Sequence, residues 1–156
     1  MKIVSEIPSL TVKEKVLLHL YEHGVRDWGM EVSSDLTQKG LADVVGVSRS
    51  HISQTLIGLE NDGLVEGEKR RVKGEKRKKK AYRLLNPGIE EAKGLYDYLM
   101  KSEIDLLDEG EEKTVEIEKL YSESDKTVIE FYNHLGEMGE EGVEEPKVEE
   151  SSKKEE

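Results

Sequence analysis

The sequence predicts a mainly α fold carrying one small β-hairpin, an α+β class, followed by a short hairpin-and-helix appendage and an acidic tail. Three observations carry this. Residues 37–65, TQKGLADVVGVSRSHISQTLIGLENDGLV, read as helix, tight turn, helix. Residues 69–83 then hold ten Lys/Arg against one Glu where a hairpin is due. Finally, charge is split along the chain: residues 1–100 carry 17 Lys/Arg and 15 Asp/Glu, whereas residues 101–156 carry 7 and 20.

Each element has a local reason. Thr11 and Glu14 form a capping box that opens a helix over about Val12–His23. Val16, Leu17, Leu20 and Tyr21 give it a buried stripe, and Gly24 ends it. Residues 25–36 form an irregular link, with a short strand expected near Leu36. The single tryptophan, Trp28, lies in this link and is expected to plug the underside of the helices rather than line a ligand pocket. In the helix over 38–45, Leu41, Ala42 and Val45 share one apolar face. Gly46 stops it, because glycine enters the left-handed region at low cost. Val47 fills the turn, Ser48 caps the next helix over 49–61, and Ile52, Leu56 and Leu59 point inward.

Asp62-Gly63 signals a turn into a strand over about Leu64–Val72. Gly74 marks a hairpin tip, and Lys79 to Leu84 returns as the second strand with Tyr82 and Leu84 on one face. Asn86-Pro87-Gly88 is expected to break the chain. Ile89, Ala92, Leu95, Tyr96, Leu99 and Met100 then mark an amphipathic helix. Ile104 and Leu106 alternate, Asp108–Glu112 reads as a turn, and Val115 and Ile117 alternate again, so a small hairpin follows. Val128, Ile129, Phe131, Tyr132 and Leu135 give a last helical face, capped by Ser124 or Asp125 and ended by Gly136. Residues 137–156 hold nine Glu and three Lys with little to bury, so disorder is expected there. The predicted division is residues 1–100 as one domain, 101–136 as an appendage and 137–156 as the tail.

Composition closes several routes to function. Cysteine is absent, so thiolate metal sites, disulfides and thiol chemistry are excluded. No stretch approaches the roughly 18 apolar residues of a membrane helix, and MKIVSEIPSL lacks the core of a signal peptide. A soluble, cytoplasmic protein is expected, with no membrane partner. His19 and His23 lie four apart on the first helix, yet nothing nearby completes a metal set, so a capping or partly exposed pair is expected. No cofactor is implied. Neither a phosphate-cradling glycine loop nor a nucleophile-base arrangement is present, so an enzyme is not expected.

The chemistry that is present suits nucleic acid. The outward side chains of the 49–61 helix can donate to or accept from base edges and phosphates, with no carboxylate before Glu60. A cationic hairpin beside such a helix can reach phosphates. The candidate DNA-contacting residues are Gln38, Ser48, Arg49, Ser50, His51, Ser53 and Gln54 around the helices. In the hairpin they are Arg70, Arg71, Lys73, Lys76, Arg77, Lys78, Lys79 and Lys80. Double-stranded DNA is the expected partner. Apolar side chains of the 89–100 helix and the 104–135 appendage predict a homodimer. A small-molecule effector is not identified by any motif.

The order helix, helix, helix, hairpin, helix resembles a winged helix-turn-helix domain. LTQKGLADVVGVSRSHISQTLIGLENDGLV resembles the recognition core of MarR-like and related archaeal transcriptional regulators. KAYRLLNPGIEEAKGL resembles their passage from second wing strand into the next helix. The similarity spans roughly residues 10–100. The chain departs from MarR-like proteins in lacking their long N-terminal dimerising helix. The resemblance implies a transcriptional regulator whose 49–61 helix enters the major groove while the wing tracks the backbone. Two other functions fit the same residues: a largely non-specific, chromatin-like DNA binder, and a winged-helix interaction module of a transcription or replication assembly.

Overall fold

The computed structural model describes residues 1–23 and 29–142, apart from the side chains of 139–142. Trp28 and the acidic tail from residue 143 onward therefore lie outside the described residues. The described chain divides into two compact units, Ser9–Leu99 with Thr127–Ile129, and Met1–Pro8 with Met100–Lys126 and the segment from Glu130.

In the first of these, α1 spans Val12–His23, α2 Gln38–Val45 and α3 Arg49–Asn61. The caps act as the sequence predicts. The Thr11 N–H donates to Glu14 Oε1 at 2.8 Å, and the Glu14 N–H donates to Thr11 Oγ1 at 3.1 Å. Gly46 ends α2 in the left-handed region at φ 84°, and the Ser48 hydroxyl accepts from the His51 N–H at 3.0 Å. Ile52, Leu56 and Leu59 of α3 are fully buried against a core that includes Val16, Leu17 and Leu20 of α1 and Leu41 of α2. Each such burial contributes about 1.5–3 kcal/mol, which outweighs the modest helix propensity of RSHISQTLIGLEN.

The wing is an antiparallel pair, β2 (Val65–Arg70) and β3 (Lys79–Leu84), registered so that Val65 faces Leu84 and Arg70 faces Lys79. The first strand stops at Arg70 rather than Val72. Val72 instead bridges in parallel to Val32, with the Val32 N–H donating to the Arg71 carbonyl at 2.9 Å. No strand forms at Leu36. Residues Ser34–Leu36 make a single 3-10 turn, capped by Ser33, between the Val32–Val72 and Thr37–Ala81 bridges. Gly40 explains the tight fit, because a Cβ there would collide with the Ser34 carbonyl.

Asn86-Pro87-Gly88 does not break the chain but opens α4, Asn86–Lys101. Pro suits the first turn of a helix, where its missing N–H has no intrahelical acceptor. Gly88 is required for packing: a Cβ would strike the Leu64 carbonyl at the foot of the wing. The N-terminus of α6 (Val128–Gly142) also differs from expectation. Its cap is neither Ser124 nor Asp125; the Val128 N–H donates to Glu22 Oε1 at 2.9 Å.

In the other unit, β4 (Glu103–Asp108) and β5 (Glu111–Glu116) form the expected hairpin, turning through Glu109 and Gly110, both at positive φ. Lys2–Ile3, here β1, joins it as a third strand in the order β1-β4-β5, a pairing that no local pattern in MKIVSEIPSL announces. Residues 1–8 thus group with this unit rather than with Ser9–Leu99. Ile117 starts a short helix, α5 (Ile117–Ser122), instead of extending the strand. Gly136 does not end α6, which continues to Gly142, so residues 137–142 are helical where disorder was expected. A glycine stops a helix by adopting positive φ, and Gly136 does not.

Candidate nucleic-acid interface

The exposed face of α3 and the distal half of the wing bring most of the sequence-predicted residues to the surface of one unit. Arg49, Ser50, His51 and Gln54 are exposed on α3, and Ser53 is half-buried beside them. Ser48 is committed as the helix cap. Gln38, the first residue of α2, is half-buried, and its Nε2 donates to the Tyr82 hydroxyl at 3.3 Å. This bond ties the start of α2 to the second wing strand, and Tyr82 itself is buried.

The wing cations fall into two groups. Arg71, Lys73, Lys76, Arg77, Lys78 and Lys79 are exposed and have no carboxylate within ion-pair distance among the described residues. The turn that carries them is set by Gly74 at φ 80°. Arg70 and Lys80 are engaged within the protein. Arg70 donates to the Gly29 carbonyl at 2.7 Å and pairs with Glu68 at 3.5 Å, so it pins the link to the wing. Lys80 pairs with Glu60 at 3.5 Å and stands 5.5 Å from the Tyr82 ring centroid. Arg83 is likewise neutralised, by Glu66 and Glu68. Among the described residues, cationic charge is therefore paired at Arg70, Lys80 and Arg83 and unpaired at Lys69 and at the tip.

Between the tip and the N-terminal ends of α2 and α3 opens a cleft of about 490 Å³, lined by Gln38, Lys39, Arg49, Lys79 and, as its acidic members, Asp43 and Glu75. The positive ends of the two helix dipoles face the same region as these cations and favour an anion there. Lys39 and Ile57 are surface residues of this region that sequence reasoning passed over. Lys39 could have been found from its place two residues after the Thr37 cap. Ile57 falls outside the inward set Ile52, Leu56 and Leu59 and is 53% exposed, but a search for polar contacting groups passes over an apolar side chain.

His19 does not fit the expectation of a capping or partly exposed pair. It is buried within α1, with its ring centroid 4.6 Å from that of His23. Five consecutive residues, 16–20, are buried in that helix, so no exposed face is left for it. Burial, and then the neighbouring His23, hold its pKa below the ordinary histidine value; Asp35 and Glu22 oppose this. Among the described residues no group of three metal-ligating side chains forms. No described helix is long and apolar enough to cross a membrane.

Residues 14–79 match the family model of the Crp-like helix-turn-helix domain, a span running from α1 to the first residue of β3. No curated protein matches the chain. Among solved structures, the chain is similar to a MepR mutant from a multidrug-resistant Staphylococcus aureus clinical isolate, with 20% identity, 81% of this chain and 75% of that chain covered, and a TM-score of 0.44. It is also similar to S. aureus MepR in complex with DNA, at 16% identity, 82% and 79% coverage and a TM-score of 0.43. A third similarity is to the zinc-dependent MarR family transcriptional regulator AdcR, at 22% identity, 63% and 60% coverage and a TM-score of 0.36. The chain thus carries a winged helix-turn-helix, in which residues 14–79 are similar to the Crp-like helix-turn-helix domain.

Proposed function

We propose that the protein is a cytoplasmic, DNA-binding transcriptional regulator that acts by binding duplex DNA and catalyses no reaction. One observation carries this reading: the outer face of α3, with Arg49, Ser50 and Gln54 exposed and no carboxylate before Glu60, lies in the same unit as six wing-tip cations unpaired among the described residues. The match of residues 14–79 to a helix-turn-helix family supports it. In this reading α3 enters the major groove, where Arg49 and Gln54 meet base edges while Ser50 and Ser53 contact bases or phosphates. Arg71, Lys73, Lys76, Arg77, Lys78 and Lys79 hold the backbone alongside. The Ser9–Leu99 unit is the DNA-binding part, and the unit containing β1, β4 and β5 serves dimerisation, so that two copies read paired half-sites.

Selection of bound duplexes from a random pool tests the proposal. The expected outcome is one preferred sequence, pseudo-palindromic with half-site centres about one helical turn apart. It should be bound at least about 10³-fold tighter than unselected duplex. Absence of duplex binding at low salt overturns the proposal. A second reading, the non-specific DNA binder, is favoured by the density of unpaired cations at the tip; it predicts tight, salt-sensitive binding with a specificity ratio near one.

A further inference from the structure

Ile57 lies on the outer face of α3, one turn beyond Gln54. At 53% exposure it is the one large apolar side chain of α3 left open to solvent. Single exposed aliphatics are ordinary on protein surfaces, but two features set this one apart. It is β-branched in the exposed middle of a helix, where straight-chain polar residues are better helix formers. It is also followed by Gly58, which costs a helix roughly 1 kcal/mol relative to alanine. A Cβ on Gly58 would meet nothing within 4 Å, so the protein's own packing does not demand the glycine. Two adjacent residues therefore weaken the helix on its outward face with no internal return. Such local inconsistencies mark surfaces shaped for a partner.

The partner's chemistry follows from the face itself. The major groove presents hydrogen-bonding edges from every base and one apolar group, the thymine C5-methyl. An isoleucine set against an amine or carbonyl edge would strip that group of water with no bond in return. Set against the methyl, it buries apolar surface on both sides. The axial rise between Gln54 and Ile57 is about 4.5 Å, three residues of helix, close to the roughly 3.4 Å between successive bases of one strand. The two side chains can thus address neighbouring base pairs. Beyond Ile57 come the carboxylates of Glu60, paired with Lys80, and of Asp62 just past the helix end, which are unfavourable toward phosphates.

Resting on the DNA-binding reading above, we infer that Ile57 is a specificity-determining residue that packs against the methyl of a thymine next to the base pair contacted by Gln54. Gly58 leaves room for the groove wall to approach. The contact supplies a preference for thymine over cytosine at one position of each half-site without a hydrogen bond.

The test replaces thymidine by deoxyuridine, one position at a time, in the selected duplex, and measures binding by the full-length protein. At one thymine per half-site, loss of the methyl should weaken the wild type about fourfold, the affinity equivalent of one buried methyl group. Ile57→Ser should be insensitive to the same substitution. Ile57→Val, which keeps a branched apolar end, should retain most of it. Because the site is exposed, thermal unfolding should confirm that both variants remain folded. If every deoxyuridine is neutral for the wild type while sequence-selective binding persists, the inference fails and the DNA-binding reading stands. If no duplex is bound, both fail.

Discussion

On α3, the outward side chains Arg49, Ser50, Gln54 and Ile57 project from a backbone locked by the Ser48 cap and by three buried residues, Ile52, Leu56 and Leu59. In the wing, the segment 73–78 between the two strands is exposed throughout and turns at Gly74, and its cations have no ion-pair partner among the described residues. The first region has varied, short-range chemistry in fixed geometry. The second has one kind of charge in loose geometry. Reading a base edge depends on placing a donor within hydrogen-bond reach, so the backbone beneath it must be rigid. Holding a polyanion needs only charge within a Debye length, about 8–10 Å at ordinary salt. On the DNA-binding reading proposed above, this contrast would assign specificity to α3 and affinity to the wing.

Stripping the wing tip attacks the contrast with the largest effect. Lys76→Gln, Arg77→Gln and Lys78→Gln combined should remove three phosphate contacts and lower the salt slope by about 2.7, at roughly 0.9 per contact. Affinity at low salt should fall on the order of tenfold to a hundredfold, equally for preferred and random duplex. A melting temperature equal to wild type is expected, because all three residues are exposed. A change in sequence preference would instead place base reading in the wing.

Gln54→Ala is the converse experiment. It should cost about 1–3 kcal/mol on the preferred sequence and relax selection at one or two positions. Binding to random duplex and the salt slope should not move. Titrations of both duplexes across a salt series resolve the two variants, and a uniform loss from Gln54→Ala would break the division of labour.

The two regions also differ in how much of them could be read from sequence. The bounds of α1, α2, α3 and β3 follow from caps and periodicity, which are local signals: Thr11 with Glu14, Gly46, and Ser48. The density of cations in 69–83 was equally plain, but not which of them are free. Arg70 is taken by Gly29, 41 residues away in sequence, and Lys80 by Glu60. Such pairings are set by tertiary approach and leave no local trace. The same holds for β1, whose two residues pair with Leu106 and Leu107, and for Gly40 and Gly88, whose need is defined by distant carbonyls. Ile57 was missed for a different reason: its spacing from Ile52, Leu56 and Leu59 already places it outward, but an apolar side chain is not sought among DNA-contacting groups.

A third test asks whether acid acts on either region or on the fold beneath both. Both ring nitrogens of His19 are buried without a hydrogen-bond partner among the described residues, and burial lowers its pKa. The sign follows from proton counting. The unfolded chain binds the proton near the ordinary histidine value of about 6.5, whereas the folded chain resists it to lower pH. Stability should therefore be at its plateau above about pH 6.5, fall as pH drops below that, and level off only below the depressed folded value. The wing contains no histidine. Thermal melts from pH 7.5 to 5 should show the loss in the wild type and a flatter profile in His19→Leu. Parallel profiles would remove His19 from the account.

The smallest expected effect lies within the wing itself and separates free from engaged cations. Lys78 has no ion-pair partner among the described residues, whereas Lys80 is 3.5 Å from Glu60 Oε2 and lies over the Tyr82 ring. An exposed pair of this kind contributes little to stability, typically below about 1 kcal/mol. It nevertheless changes what DNA can gain, because a lysine already paired must leave its carboxylate before it neutralises a phosphate. It also holds fewer counterions to release. Lys78→Gln should therefore lower the salt slope by about 0.9, and Lys80→Gln by less than half of that. Glu60→Gln frees Lys80 without altering the wing and should strengthen low-salt binding slightly, with Lys80→Gln now costing as much as Lys78→Gln. Equal slopes for the two lysine variants in the wild-type background would mean that the wing cations act as one undivided charge.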